Sequence, residues 1–86
     1  MNISVELTMS PLQDGYEPHI IAFIKALRAS KFTVLENPLS TQVYGKYNEV
    51  MPFLTKAIGD SMAAQDAVLV YMKLVKSDRS DYTPHF

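Results

Sequence analysis

Ile3, Val5, Leu7 and Met9 alternate with Ser4, Glu6 and Thr8 at the start of the chain. A period of two is the pattern of an extended strand with one buried face, so this start commits the chain to a sheet covered on one side only. Ser10-Pro11-Leu12-Gln13-Asp14-Gly15 ends the strand, because proline and an Asp-Gly pair form turns. The period then changes. A helix is predicted from Glu17, with Pro18 in the first turn where its missing N–H costs nothing. Tyr16, Ile20, Phe23, Ile24 and Leu27 share one helical face, and Lys25 and Arg28 lie near its C-terminal end.

Lys31–Glu36 reads as a short second strand, stopped by Asn37-Pro38, and a third strand is predicted over Ser40–Lys46. Asn48 is the expected cap of a second helix with the stripe Val50, Phe53, Leu54, Ala57, Ile58 and Met62, and Pro52 is expected in its first turn. Gln65-Asp66 turns the chain into a fourth strand over Ala67–Val75, apolar on both faces. Residues 77–86 have no periodicity and are expected to form an irregular or partner-docked tail. The order βαββαβ over residues 1–76 contains two split βαβ units. With right-handed crossovers these give an α+β ferredoxin-like sandwich, a four-stranded antiparallel sheet with two helices on one face. The open face carries Ser4, Glu6 and Thr8, together with either Gln42 and Tyr44 or Thr41, Val43 and Gly45. Gly45 is expected to mark a bulge or a close backbone approach.

Composition narrows the function. A chain of 86 residues buries only roughly 60 to 65% of its extended surface, so a second subunit is an expected source of further burial. The net charge of −1, from 8 basic and 9 acidic side chains, provides no basic footprint for nucleic acid or an anionic membrane. With no cysteine there is no disulfide, thiolate metal site or thiol nucleophile. The start of the chain lacks a signal-peptide pattern, and its apolar runs are too short to span a bilayer. The expectation is a cytoplasmic protein without membrane insertion.

Two segments carry a family likeness. Ile3–Leu12 (ISVELTMSPL) and Pro38–Met51 (PLSTQVYGKYNEVM) resemble the YkoF-like thiamine-binding family. Its members have a first strand ending in proline, then a Ser-Thr, apolar, Gly, acidic-helix pattern. The likeness extends over roughly residues 3 to 76. It implies a ferredoxin-like unit that binds thiamine or its hydroxymethylpyrimidine part without catalysis, needs no cofactor, and assembles as a homo-oligomer, a dimer or tetramer. Some relatives hold two such units in one chain. This chain has room for one, so two copies would replace the tandem form.

The side chains suit that ligand. Thiamine joins a permanently cationic thiazolium to a flat aminopyrimidine, so a receptor needs a carboxylate, hydroxyls or amides, and an aromatic wall. Glu6 could accept from the amino group or balance the cation, Ser40 and Thr41 could bond ring nitrogens, and Tyr44 or Tyr71 could stack. Asn37 and Gln42 are second choices. Each has a plainer role beside the functional one. Glu6 fits a solvated strand face, Ser40 and Thr41 fit local backbone bonding, and the tyrosines fit sheet packing or a subunit interface. His19 and His85 lack partners at metal-ligand spacing and read as surface residues. Met51, Met62 and Met72 read as core fillers.

Three other classes share the fold. An RNA-recognition module is disfavoured, because Tyr44-Gly45-Lys46-Tyr47 is its only aromatic echo, the first strand has no aromatic platform and the charge is wrong. An acylphosphatase-like hydrolase needs an arginine cradle, and Ser10–Tyr16 contains no arginine. No enzyme is expected. An oligomeric regulatory module sensing another small molecule makes the same fold and assembly predictions and stays open beside the thiamine reading.

Overall fold

The computed structural model describes residues 1–86. The chain runs β1 (Asn2–Pro11), α1 (Glu17–Arg28), β2 (Thr33–Glu36), β3 (Thr41–Lys46), α2 (Tyr47–Ala63) and β4 (Val68–Lys76). All strand pairs are antiparallel, in the order β2-β3-β1-β4. Both helices pack on one face, which is the ferredoxin-like α+β fold.

The alternation in β1 sets the register. Ile3, Val5 and Leu7 are at most 2% exposed and meet Phe23 and Leu27 of α1, Val43 of β3, and Val50 and Leu54 of α2 in one core. Val5 lies between Val43 and Leu74. A slip by one residue would send this whole apolar set to the uncovered side. The same register settles the open alternative for β3: Gln42 and Tyr44 share the uncovered face with Ser4 and Glu6, while Thr41, Val43 and Gly45 face the helices. At Gly45 a Cβ would come within 2.8 Å of both Phe32 Cδ1 and Val50 Cγ2. The glycine is needed for close approach, and the pairing runs through it without a bulge.

Four local expectations are corrected. β2 begins at Thr33 rather than Lys31. Phe32 leaves the ladder to stack obliquely on Phe53, with ring centroids 5.4 Å apart, and its amide donates to Ser30 Oγ at 3.3 Å. Asn48 is not a cap, because β3 runs directly into α2 and Tyr47 is already helical. The amide of Tyr47 donates to the Met1 carbonyl at 2.9 Å, so the start of β1 supplies the partner expected from a capping side chain. Pro52 consequently falls in the second turn, where it removes the partner of the Asn48 carbonyl. β4 is shifted by one residue from its expected bounds and forms an edge of the sheet.

After β4 the chain reverses at Ser77, whose φ of 111° lies in a region that non-glycine residues rarely adopt. Three hydrogen bonds hold that turn against β1. The Ser77 amide donates to the Asn2 carbonyl, Ser4 Oγ donates to the Ser77 carbonyl at 2.7 Å, and the Arg79 amide donates back to Ser4 Oγ at 2.9 Å. The tail thereby buries Ser4, the one polar β1 residue of the uncovered face that is shut from solvent.

Candidate functional site

On the uncovered face the register places Glu6 between Gln42 of β3 and Lys73 of β4. Ser40 Oγ donates to Glu6 Oε2 at 2.9 Å, Gln42 Nε2 donates to Ser40 Oγ at 3.0 Å, and Asn37 Nδ2 donates to Gln42 Oε1 at 2.8 Å. Lys73 Nζ stands 3.5 Å from Glu6 Oε1. The Ser40 hydroxyl foremost, and then the Lys73 ammonium, hold the Glu6 carboxyl below the usual carboxylate range. A fixed negative charge therefore sits mid-strand at neutral pH. Beside it a shallow hollow of about 160 Å³ is walled by Glu6, Gln42, Tyr44, Lys73 and Arg79. Burial, reinforced by the negative charges of Asp78 and Glu6, pushes the Tyr44 hydroxyl upward and keeps it a neutral donor.

A deeper cleft opens at the end of the sheet where β1 leaves and the β2–β3 turn comes back. It holds about 290 Å³. Ile20, Phe23 and Ile24 of α1 form one wall, Leu7 to Met9 of β1 the floor, and Glu36 to Thr41 the other wall. The turn is held in place by the Asn37 amide donating to the Ser40 carbonyl at 2.9 Å and by Thr8 Oγ1 donating to the Leu39 carbonyl at 3.2 Å. Glu36 receives Arg28 through two hydrogen bonds of 2.6 and 2.8 Å, which hold its carboxyl below the usual range. Thr41, only 7% exposed, turns its side chain to this cleft. An apolar trough with a hydroxyl inside and a carboxylate at its wall combines apolar lining with a few placed polar groups, the make-up common to small-molecule pockets.

Ser40 links the two hollows, since it lines the cleft and bonds Glu6 on the other side of the turn. Of the residues singled out from the sequence, Glu6, Ser40, Gln42 and Asn37 form one hydrogen-bonded chain. Tyr44 stands beside it. Thr41 lies on the opposite face of the sheet from Glu6, and reaches the cleft rather than the network. Tyr71 shares the uncovered face but lies opposite Thr8, 60% exposed and outside both hollows. Sequence reasoning did not find Glu36, Phe23, Lys73 or Arg79 as site residues. Glu36 had one readable signal, an acid placed directly before a strand-ending Asn-Pro. Lys73 could be found only from the pairing of β1 with β4.

The molecule is thus a ferredoxin-like α+β protein with a small-molecule-sized cleft at one end of its sheet, and no helix is long and apolar enough to cross a membrane. Its fold is shared with solved proteins. Protein SP2199 from Streptococcus pneumoniae is similar, with 25% sequence identity, 91% of this chain and 89% of that chain covered, and a TM-score of 0.83. A Thermotoga maritima protein, TM0486, provisionally assigned to thiamine biosynthesis/salvage, has 15% identity, coverage of 90% and 85%, and a TM-score of 0.79. The DUF77 domain of unknown function from Bacillus cereus has 14% identity, coverage of 96% and 83%, and a TM-score of 0.73. No protein-family model matches the sequence, and neither does any curated protein.

Proposed function

We propose that this chain is a cytoplasmic, non-catalytic, homo-oligomeric binder of thiamine or its hydroxymethylpyrimidine part, with the pyrimidine seated in the α1/β2–β3 cleft. The observation that carries the reading is the cleft itself. Its volume of about 290 Å³ stands at the lower end of small-ligand pockets, about 300 Å³, which suits one substituted ring and leaves the rest of thiamine at the mouth. Phe23 and Ile24 offer an apolar wall for the ring, the Thr41 hydroxyl can meet a ring nitrogen, and Glu36 can accept from the exocyclic amine. Glu6, held ionised by Ser40 and Lys73, supplies a carboxylate that a thiazolium can meet by taking the place of the Lys73 ammonium. A structural relative assigned provisionally to thiamine biosynthesis/salvage supports the same reading.

Amide chemical-shift mapping tests the location. Addition of hydroxymethylpyrimidine is expected to move the resonances of Glu36–Thr41 and of the first two turns of α1, and to leave the β4 edge unmoved. Shifts confined to Gln42, Tyr44 and Lys73 would instead favour a second reading, a sensor of a zwitterionic metabolite such as an amino acid. The observation behind that alternative is the Glu6 carboxylate lying beside Lys73 and Arg79 in the shallower hollow, a pairing of opposite charges.

A further inference from the structure

The polar groups around the cleft have a direction. Glu6, ionised, can only accept, so the single proton of the Ser40 hydroxyl is spent on its Oε2 at 2.9 Å. Ser40 Oγ accepts in turn from Gln42 Nε2 at 3.0 Å, which leaves the Gln42 oxygen to accept from Asn37 Nδ2 at 2.8 Å. Ser40 keeps one free lone pair, and it lines the cleft. Its neighbours are committed in the same sense. Thr8 Oγ1 gives its proton to the Leu39 carbonyl, the Asn37 amide gives its own to the Ser40 carbonyl, and Pro38 has no N–H. Glu36, the one ionisable residue lining the cleft, receives Arg28 on both oxygens and accepts only.

We propose that the negative charge of Glu6 fixes Ser40 as an acceptor and so completes a set of three side chains, with Thr8 and Glu36, that meet a ligand only through lone pairs. The cleft then takes a pyrimidine by an amino edge and rejects the same ring with a carbonyl in that place. Glu6 is a positioning residue for the neutral ring, acting through Ser40 rather than by contact. The inference rests on the pyrimidine reading above and narrows it to amino-substituted rings. An amino group can give its N–H groups to Ser40 Oγ and Glu36, whereas a carbonyl oxygen would face their lone pairs and lose its hydration without return. The Thr41 hydroxyl, free to donate or accept, serves either ring and does not discriminate. Lys73 makes the charge separable from the shape, because it stands at the other oxygen of Glu6, Oε1, at 3.5 Å. In Glu6→Gln the amide oxygen stays with Lys73, the new amide nitrogen turns to Ser40, and the Ser40 proton is released toward the cleft.

Titration calorimetry of the full chain with hydroxymethylpyrimidine, and with its counterpart bearing a carbonyl for the amine, reads this polarity. The amine is expected to bind at least about tenfold more tightly, as for one hydrogen bond to a charged group made or lost. Glu6→Gln, with unchanged circular dichroism, is expected to narrow that ratio by about threefold or more, by weakening the amine and strengthening the carbonyl compound. A merely structural role for Glu6 would weaken both rings alike and leave the ratio where it was. Neutron diffraction of the deuterated, ligand-free protein is expected to find the Ser40 deuteron on the line to Glu6 Oε2. Equal affinities for the two rings, an unchanged ratio in Glu6→Gln, or a deuteron turned into the cleft would overturn the proposal. Binding of neither ring, with the deuteron on the Glu6 side, would overturn the pyrimidine reading and leave the polarity of the cleft established. Should Glu6→Gln fail to fold, the ring ratio and the deuteron position of the unmodified chain decide.

Discussion

The two faces of this sheet are drawn from the same strands and hold together by different physics. The helix-covered face is a core of Ile3, Val5, Leu7 and Val43 against α1 and α2, excluded from water and free of charge. The uncovered face is a chain of polar groups, Asn37, Gln42, Ser40, Glu6 and Lys73, bonded to one another in reach of solvent. Burial of apolar surface stabilises the first, whereas exposed hydrogen bonds and ion pairs add little to folding. The polar face is therefore free to be chosen for recognition. The cleft lies where the two regimes meet, with an apolar floor from one and polar rims from the other.

The largest test of that division is in the core. Leu27→Ala, at a position with no solvent exposure, is expected to cost about 2–5 kcal/mol in urea unfolding, because removed methyl groups leave a cavity. Leu35→Ala, at a half-exposed position of the uncovered face, is expected to cost less than about 1 kcal/mol. Equal losses would erase the distinction. Gly45→Ala comes next, since the added methyl must displace both Phe32 and Val50. Overpacking of this kind costs about 1–3 kcal/mol, and the Phe32–Phe53 contact should report it as a shift of the ring proton resonances.

The smallest effect is acid sensitivity. Glu6, Glu36 and Glu49 all have carboxyl groups held below their ordinary range, foremost by hydrogen bonds from Ser40, Arg28 and Lys31 respectively. In acid the unfolded chain binds more protons than the folded one, so their contribution is present above the ordinary carboxylate pKa and lost as pH falls through the lowered values. The urea midpoint is expected to decline modestly below about pH 4, with a shallower decline in Glu36→Gln. A midpoint that rises on acidification would contradict these pairings.

Much of this architecture is legible in the residues. The alternation of Ile3–Met9 declares both the strand and its covered face, and the helical stripes of α1 and α2 declare theirs. Thr41-Gln42-Val43-Tyr44-Gly45 does not declare its face, because apolar and small residues occur on both sides of it. Pairing with β1 decides, through Val5 against Val43. The α2 cap was hidden because its partner, the Met1 carbonyl, is distant in sequence. The cleft was half visible. Ser40, Thr41 and Asn37 stand out as polar groups around a turn, whereas Phe23 looks like any other residue of a buried helical stripe until the turn closes beside it.

In the proposed function the cleft receives the pyrimidine of a thiamine-like ligand and the Glu6 carboxylate pairs with the cation. Isothermal titration of the folded protein with thiamine, hydroxymethylpyrimidine and a set of amino acids tests it most directly, run on the unmodified chain, Thr41→Val and Glu6→Gln. Saturable binding of thiamine and the pyrimidine is expected, with a loss of about tenfold for both in Thr41→Val as for one hydrogen bond removed, and in Glu6→Gln a larger loss for the cation than for the neutral ring. No heat from either ligand with a folded, unmodified chain, or equal losses for both in Glu6→Gln, would contradict it.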